Sequence, residues 1–207
     1  TPSSATLYYI TLTWDNELMV VRTTYRKTRE SLNTEGEAHG VTFCCYQRRK
    51  FLSRDRTRQY FVDALELMRR KHNVHIWTYV IMPEHVHLIL WPANARYDMD
   101  AILTTVKLSV SRKALHYRRA ENPSGLKQLS TGQKHAPYRF WLAGADYDRN
   151  VIQTKTLRRM VDYTHNNPVR RGLVEDPLDW KWSSASEWEV EGSGPLRLDL
   201  ESFPADT

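Results

Sequence analysis

The chain has 207 residues, of which 41% are hydrophobic, and it carries a formal net charge of +6. That length is enough to bury one good core, so we expect one folded domain with appendages. The sequence has no apolar run of about eighteen residues and no basic, apolar leader, which argues against a membrane span and a secretory signal. Its two cysteines, Cys44 and Cys45, are adjacent and form no disulfide framework, which favours a reducing cytoplasm.

The first half of the chain alternates between strand and helix signals. Residues 1–37 match no pattern and are taken as an N-terminal extension. Residues 41–46 indicate a strand, and residues 55–73 place apolar side chains at helical spacing. Residues 74–82 and 85–91 then predict two antiparallel strands joined by a tight connection.

The second half completes the pattern. Residues 98–117 return to helical spacing, residues 121–136 are a polar loop, and residues 140–151 supply the last strand before a final short helix. The order is strand, helix, strand, strand, helix, strand and an added helix, which predicts an α+β, ferredoxin-like antiparallel sheet. Because that fold hosts many functions, the function has to be argued from the site.

Two histidines two residues apart are the clearest chemical feature of the third predicted strand. Alternate residues on a strand share a face, so His85 and His87 project together while Val86 and Leu88 point into the core. Two parallel imidazoles suit a divalent metal ion. The alternative is a pair of partly buried histidines that are merely hydrogen-bonded.

A tyrosine, an asparagine and an arginine share one face of the final predicted helix. Apolar residues recur at helical spacing from residue 157, and Pro168 predicts the end of this helix. Tyr163 and Asn167 are four residues apart, and Arg159 lies one turn before Tyr163. The helix therefore presents a phenol, an amide oxygen and a guanidinium together.

These segments, with one more after them, resemble a known superfamily. They are residues 82–87 (MPEHVH), 163–174 (YTHNNPVRRGLV) and 179–184 (DWKWSS). They resemble the HUH endonucleases, and among them the single-tyrosine transposases of insertion sequences and their REP-associated relatives. The last two segments look more like the REP-associated branch. The resemblance covers roughly residues 38–188, and three motifs in the right order make it specific.

The resemblance implies a mechanism and a substrate. His85 and His87 would hold Mg²⁺ or Mn²⁺, with the side-chain oxygen of Asn167 as a third ligand. Tyr163 would attack a phosphate of single-stranded or hairpin DNA, giving a 5′-phosphotyrosyl link and a free 3′-hydroxyl. The implied DNA is a repeated extragenic palindrome. The sequence leaves open whether the protein acts as a monomer or a dimer.

The charge of the chain is divided between a basic part and an acidic one. From Glu175 to the end there are nine acidic and two basic residues, so residues 175–207 carry −7 and the preceding residues +13. Residues 38–174 form the predicted catalytic domain, and a basic surface there favours a polyanionic partner. The acidic segment either shields this surface or is docked by its tryptophans. The predicted DNA-binding residues are Arg48, Arg49, Lys50, Lys107, Arg112, Lys113 and Arg159.

Several other residues and functions remain as alternatives. On a regular strand Glu84 points to the face opposite His85, but a turn there would change this and leave Glu84 as an alternative ligand. His165 is expected to face away from Tyr163, and Tyr138 and Tyr147 are rival nucleophiles by residue type alone. The first function is a DNA-cleaving and strand-joining enzyme. The alternatives are a sequence-specific hairpin-binding protein without chemistry, and a metal hydrolase with an unrelated substrate.

Overall fold

The computed structural model describes most of the chain in two compact units. The described residues are 8–14, 17–23, 33–135, 137–142 and 147–205. The units are Thr1–Glu30 and Ser31–Thr207. In the first unit, strands β1 (Tyr8–Trp14) and β2 (Glu17–Thr23) pair antiparallel.

The second unit is built on a four-stranded antiparallel sheet, which confirms the α+β prediction. Its strands are β3 (Ala38–Cys44), β4 (Val74–Ile81), β5 (His85–Pro92) and β6 (Tyr147–Val151), in the spatial order β4-β5-β3-β6.

The last strand is shorter than residues 140–151, the range predicted from the sequence. Trp141 makes only an isolated bridge with Cys45. Its ring packs instead against the rings of Phe43 and Phe140 in the core. At the start of the predicted strand, Phe140 and Trp141 are thus held by burial of their side chains and not by regular strand pairing.

Two long helices precede β6. They are α1 (Asp55–His72) and α2 (Met99–Ala120), and α2 is capped by the side chain of Asp98, which accepts from the backbone N–H of Ala101. The predicted loop over 121–136 contains a further short helix, α3 (Pro123–Leu126), whose first residue is the proline that suits a helix start. Among the described residues, no helix is long and apolar enough to cross a membrane.

Helix α4 (Thr154–Arg170) carries the tyrosine, and it continues through the position where its end was predicted. Pro168 lies inside the helix, so the prediction that it stops there is wrong. Proline removes one backbone N–H. The turn is held by bonds from the backbone N–H of Arg171 to the Asn167 carbonyl (3.1 Å) and of Gly172 to the Val169 carbonyl (2.8 Å). Asn167 therefore lies within regular helix.

The helices cover both faces of the sheet. Apolar side chains of α1 and α2 share one core with alternate residues of the strands, among them Phe43, Val86 and Leu88. Helix α4 packs against β4 and β5 from the other face. It approaches closely at Gly40, where a Cβ atom would lie 2.1 Å from the Cε atom of Met160. A side chain at this position would displace the flexible end of Met160.

The acidic C-terminal segment lies along the outer edge of β4. The backbone N–H of Ile81 donates to the Trp182 carbonyl (2.9 Å), and that of Ser184 to the Tyr79 carbonyl (2.9 Å). The segment also includes helix α5 (Ala185–Glu189), where the buried carboxylate of Glu187 accepts two backbone N–H groups. The segment is thus docked on the sheet, which was one of the two predicted alternatives. Shielding of the basic surface by this segment stays a prediction.

Three tryptophans anchor this segment through their indole N–H groups. Those of Trp180 and Trp188 donate to carbonyls of β4 and that of Trp182 to the Asp55 carboxylate, over 2.8 to 3.2 Å. The compact unit therefore includes both residues 38–174 and residues 175–205.

Candidate active site beneath the tyrosine helix

The two histidines of β5 lie on the face of the sheet that α4 covers. Val86 and Leu88 are buried in the core on the opposite face, so the strand alternates as predicted. The rings of His85 and His87 are nearly perpendicular, with centroids 4.9 Å apart, and both side chains are buried. The sheet therefore presents two imidazoles together beneath a helix.

Each imidazole is held through its Nδ1 atom. The Nδ1 of His87 lies 2.7 Å from the Thr42 hydroxyl, and Thr42 is its direct partner in the β3–β5 register. The Nδ1 of His85 lies 3.2 Å from a carboxylate oxygen of Glu84. A histidine that donates from Nδ1 keeps the lone pair on Nε2, the usual arrangement around a metal ion. Burial, with the neighbouring His85, lowers the pKa of His87 well below its usual value, which favours the neutral ligand form.

Glu84 departs from the sequence prediction, because it contacts His85 instead of pointing away. It belongs to a turn in which the backbone N–H of Met82 donates to the His85 carbonyl (2.9 Å), so strand alternation does not apply. The same carboxylate oxygen contacts the Arg171 guanidinium at 2.8 Å. The hydrogen bond from His85, aided by Arg171, lowers the pKa of Glu84 to about 2. Its other oxygen is buried without a hydrogen-bond partner among the described residues.

Tyr163 lies directly over this pair of histidines. Its ring centroid is 5.8 Å from that of His87, and the rings meet edge to face. The guanidinium carbon of Arg170 lies 4.8 Å from the centre of the Tyr163 ring. Arg159 is exposed one helical turn before the tyrosine. The structure therefore brings the predicted phenol to the predicted histidines and adds an arginine that the sequence prediction missed.

Asn167 follows Tyr163 by one turn and is buried, with 6% of its surface exposed. Its side-chain nitrogen has no hydrogen-bond partner in the part of the chain that the structure describes. An unpartnered buried amide carries a free-energy penalty of about 1–3 kcal/mol. The unpartnered nitrogen is an N–H donor that an acceptor such as a phosphate oxygen could satisfy, whereas the side-chain oxygen of Asn167 is the atom that could ligate a metal ion.

The donor set fits a divalent metal ion. Two imidazoles with available Nε2 atoms and one amide oxygen match ligands that Mg²⁺ and Mn²⁺ accept, with water completing the shell. Across the described ranges there is no group of three or more His, Cys, Asp and Glu residues that could hold a metal. A third protein ligand would then be of another residue type, and the side-chain oxygen of Asn167 is of a kind that Mg²⁺ and Mn²⁺ accept.

The opposite side of α4 carries a different histidine. The Nε2 of His165 lies 2.7 Å from the Thr78 hydroxyl and 2.9 Å from the Ser184 hydroxyl, and these hydroxyls are 2.8 Å apart. Burial lowers the pKa of His165 to about 4. His165 faces away from Tyr163, as predicted.

The two rival tyrosines occupy other places. Tyr138 lies in the segment after α3, with the Arg119 guanidinium 5.7 Å from its ring centre. Tyr147 begins β6 opposite Thr42, so one residue of β3 separates it from His87. Neither rival lies on a helix next to an asparagine.

The predicted DNA-binding residues divide into separate groups. Arg48, Arg49 and Lys50 are exposed in the turn after β3. Lys107 and Lys113 lie on α2, across the sheet from Tyr163: the ammonium of Lys107 is over the Phe43 ring, and that of Lys113 bonds to Asp63 at 2.7 Å. Arg112 is exposed on the same helix. The structure therefore does not join all seven residues into one surface.

Sequence reasoning missed three residues at this site: Thr42, Arg170 and Arg171. Thr42 follows from strand register, which pairs residues far apart in the chain. The two arginines lie beyond Pro168, where the helix was predicted to have ended. Glu84 lies near the site because of the turn before His85, the alternative that the sequence left open.

Comparisons with known proteins show similarity to transposases. Residues 34–132 match the family described as transposase IS200 like. A REP-associated tyrosine transposase of Escherichia coli (strain K12) is 25% identical over 133 residues, covering 64% of this chain and 67% of the relative. A Haemophilus influenzae relative assigned to the same group is 26% identical over 137 residues, covering 63% of this chain and 73% of its own.

A solved structure supports the fold. It is the structure of a REP-associated tyrosine transposase bound to a REP hairpin, and its TM-score with this chain is 0.61. The two are 21% identical, and the match covers 89% of this chain and 92% of the other. Over residues 34–132 the chain is therefore similar to the IS200-like transposases, and the curated relatives that it resembles are of the REP-associated kind.

Proposed function

We propose that this protein is a metal-dependent single-stranded DNA endonuclease and strand transferase that acts on hairpin DNA of the REP type. The observation that carries the proposal is the position of Tyr163, whose ring lies 5.8 Å from that of His87. Asn167, one turn later, is buried with an unpartnered amide nitrogen. A phenol beside two imidazoles, with an amide one helical turn away, is suited to metal-assisted nucleophilic attack on a phosphate.

The residues have distinct roles in this proposal. His85, His87 and Asn167 would hold Mg²⁺ or Mn²⁺, which polarises the scissile phosphate when bound. Glu84 and Thr42 hold the two imidazoles through Nδ1, so that each Nε2 is directed to the site. Arg170 places positive charge over the Tyr163 ring, where it attracts a developing phenolate.

The reaction breaks one bond for each bond that it forms. The Tyr163 oxygen forms a bond to phosphorus, its proton passes to solvent, and the 3′-oxygen of the neighbouring nucleotide leaves. The products are a 5′-phosphotyrosyl link and a strand ending in a 3′-hydroxyl. Attack by another 3′-hydroxyl reverses the step and joins strands without an external energy source, because each step exchanges one phosphodiester for another.

Two findings support the DNA substrate. The fold of this chain is similar to that of a transposase bound to a REP hairpin. Residues 1–174 carry a net charge of +13, which favours a polyanion. The ferredoxin-like arrangement leaves one face of the sheet to α1 and α2 and the other to α4, so the reacting tyrosine lies over the histidine pair.

The test is incubation of the full chain with labelled single-stranded hairpin DNA and Mn²⁺, followed by denaturing electrophoresis. We expect a labelled band that migrates with the protein, together with a cleaved strand, and both should vanish in excess EDTA. Equal cleavage in EDTA would contradict the metal role. Hairpin binding with no cleavage and no adduct at any metal concentration would favour the non-catalytic alternative.

A further inference from the structure

Residues 45–52 meet the turn that carries Glu84, and a second segment, distant in sequence, meets residues 45–52 in turn. The backbone N–H of Cys45 donates to the Glu84 carbonyl (2.8 Å), and that of Leu52 to the Pro83 carbonyl (2.9 Å). The backbone N–H of Tyr46 donates to the Phe140 carbonyl (2.8 Å). Residues 46–58 and 117–142 therefore converge at the end of the sheet where His85 begins its strand.

These two segments are strongly basic. Residues 46–58 contain six Lys and Arg residues against one acidic residue, and residues 117–142 contain five against one. The first adjoins the proposed reaction site through the Glu84 turn, and the second adjoins the first through the bond between Tyr46 and Phe140. A polyanion that reaches Tyr163 would meet this concentration of positive charge at the site's border.

Three arginines in these segments lie over tyrosine rings. The guanidinium carbon is 3.7 Å from the ring centre for Arg56 and Tyr117, and 5.7 Å for both Arg119 with Tyr138 and Arg139 with Tyr46. The six residues Tyr46, Arg56, Tyr117, Arg119, Tyr138 and Arg139 are called the Arg–Tyr face below. A guanidinium that stacks on a ring keeps its N–H groups directed outward, where they can bind phosphate oxygens.

Cations at the far end of α1 have different partners. Arg69 contacts the carboxylates of Glu66 and Asp199, and Arg70 contacts that of Glu66. Those charges are neutralised within the protein. The Arg–Tyr face instead combines cations with half-buried aromatic rings, which is the combination that binds unpaired nucleotides by phosphate contact and base stacking.

The backbone at the border of this face adopts an unusual conformation. Gln47 and Arg48 have φ angles of 54° and 51°, in the left-handed region that side chains other than glycine rarely adopt. The turn is held by the backbone N–H of Arg48, which donates to the Cys45 carbonyl at 2.9 Å. It leaves Arg48, Arg49 and Lys50 exposed beside the Glu84 turn. A retained outlier of this kind is more typical of functional segments than of connections.

We propose that the Arg–Tyr face binds the single-stranded flank of the DNA that enters or leaves the reaction site, with bases stacked at Tyr46, Tyr117 and Tyr138. The inference rests on the proposed function, because it assigns a surface to part of that substrate. An unpaired flank fits better than a duplex, since the bases of a duplex are stacked on each other and present only their edges.

The experiment compares the affinity of the full chain, in EDTA, for a hairpin alone and for the same hairpin with a single-stranded flank of about ten nucleotides. The flank is placed on the 5′ side in one probe and on the 3′ side in another, and binding is followed by fluorescence anisotropy. We expect at least one flank to raise affinity about tenfold, and a complementary strand that pairs the flank to remove the gain. A gain for neither flank, or an equal gain for the paired flank, overturns the inference.

Matched variants assign the effect to this face. Arg56→Ala/Arg119→Ala and the control Arg70→Ala/Lys71→Ala each remove two positive charges from exposed positions. The first should abolish the flank-dependent gain and lower the salt slope by about 1.4, at roughly 0.7 per phosphate contact. The control should keep the gain. Equal losses in both variants, or none in the first, contradict the inference.

A second variant tests base stacking separately from charge. It also keeps the inference testable if the first variant fails to fold. Tyr117→Leu/Tyr138→Leu keeps every cation, so its salt slope should match that of the wild type while the flank-dependent gain falls. An undiminished gain in this variant, with a normal melting temperature, overturns base stacking at this face. The proposed function fails by a different result, namely that wild-type protein gives no adduct with any hairpin.

Discussion

The two sides of helix α4 carry buried polar groups in opposite conditions. On one side, His165 is bonded to the hydroxyls of Thr78 and Ser184, and all three belong to one closed network. On the other side, the amide nitrogen of Asn167 is buried without a partner among the described residues, as is one oxygen of Glu84. Helix α4 therefore borders two polar clusters on opposite sides. In the closed cluster the side chains bond to one another, and in the open cluster two polar atoms have no partner among the described residues.

We propose that the first cluster is structural and the second functional, because the second also includes the carboxylate that bonds to His85. A satisfied buried network stabilises the fold, whereas each unpartnered group opposes folding by about 1–3 kcal/mol. Natural proteins depart from full satisfaction mainly at functional sites. Residues of the closed cluster should then change stability when they are replaced, and those of the open cluster should change activity.

The largest effect is expected for the histidines of the open cluster. His87→Ala removes an imidazole ligand and should lower cleavage by at least about 1,000-fold, with little change in hairpin affinity. Asn167→Ala should lower it less, because water can replace one amide oxygen. Single-turnover cleavage against Mn²⁺ concentration measures both. The control is His72→Ala on α1; a similar loss there would point to a general effect on folding.

Glu84→Gln should have the next largest effect. The amide can still accept from His85, but the charge that holds Arg171 and His85 together is lost. Loss of such an outer partner typically weakens metal binding by about 10–100-fold. Isothermal titration with Mn²⁺ measures this directly, and Glu66→Gln, which removes a carboxylate that contacts Arg69 and Arg70, is the control. Unchanged Mn²⁺ affinity in Glu84→Gln would remove its role in orienting His85.

His165→Ala should lower the stability of the protein and leave its cleavage activity nearly unchanged. It leaves the hydroxyls of Thr78 and Ser184 with one partner fewer, so the free energy of unfolding should fall by about 1–3 kcal/mol. Cleavage by the folded variant, measured below its unfolding transition, should stay within about twofold of wild type. Urea denaturation with a parallel cleavage assay tests this, and a variant of normal stability that no longer cleaves would place His165 at the reaction site.

The pH dependence of stability gives a smaller effect. The pKa of His165 is about 4 in the folded protein against 6.5 for an ordinary histidine. Protonation therefore favours the unfolded chain, and the contribution of neutral His165 is full above pH 6.5 and declines as pH falls. By pH 5 the loss is about 2 kcal/mol. The stability difference between wild type and His165→Gln in EDTA should shrink by that amount between pH 7 and 5. A constant difference would show that His165 titrates normally.

Local patterns predicted the parts of the site that lie close together in sequence. Strand alternation placed His85 and His87 on one face, and helical spacing placed Asn167 one turn after Tyr163. These relations need only backbone periodicity. Among the strands, β4 and β5 agree with their predicted ranges to within one residue.

The other parts depend on contacts between distant segments. Thr42 reaches His87 through the register of β3 with β5, and Arg171 reaches Glu84 only because α4 continues past Pro168. No local sequence pattern predicts either contact. Packing on the sheet overrode the usual effect of proline near the helix end, as it also replaced strand pairing at Phe140 and Trp141.

Identification of the tyrosine that becomes linked to DNA tests the central claim most directly. After reaction with hairpin DNA and Mn²⁺, nuclease and trypsin digestion leave nucleotide-bearing peptides for mass spectrometry. Residues 160–170, 140–149 and 135–139 are separate tryptic peptides with one tyrosine each, Tyr163, Tyr147 and Tyr138. We predict the modification on 160–170 alone, its loss in Tyr163→Phe and its retention in Tyr147→Phe. A modification on either other peptide, or an adduct that persists in Tyr163→Phe, would contradict the assignment of the open cluster as the reaction site.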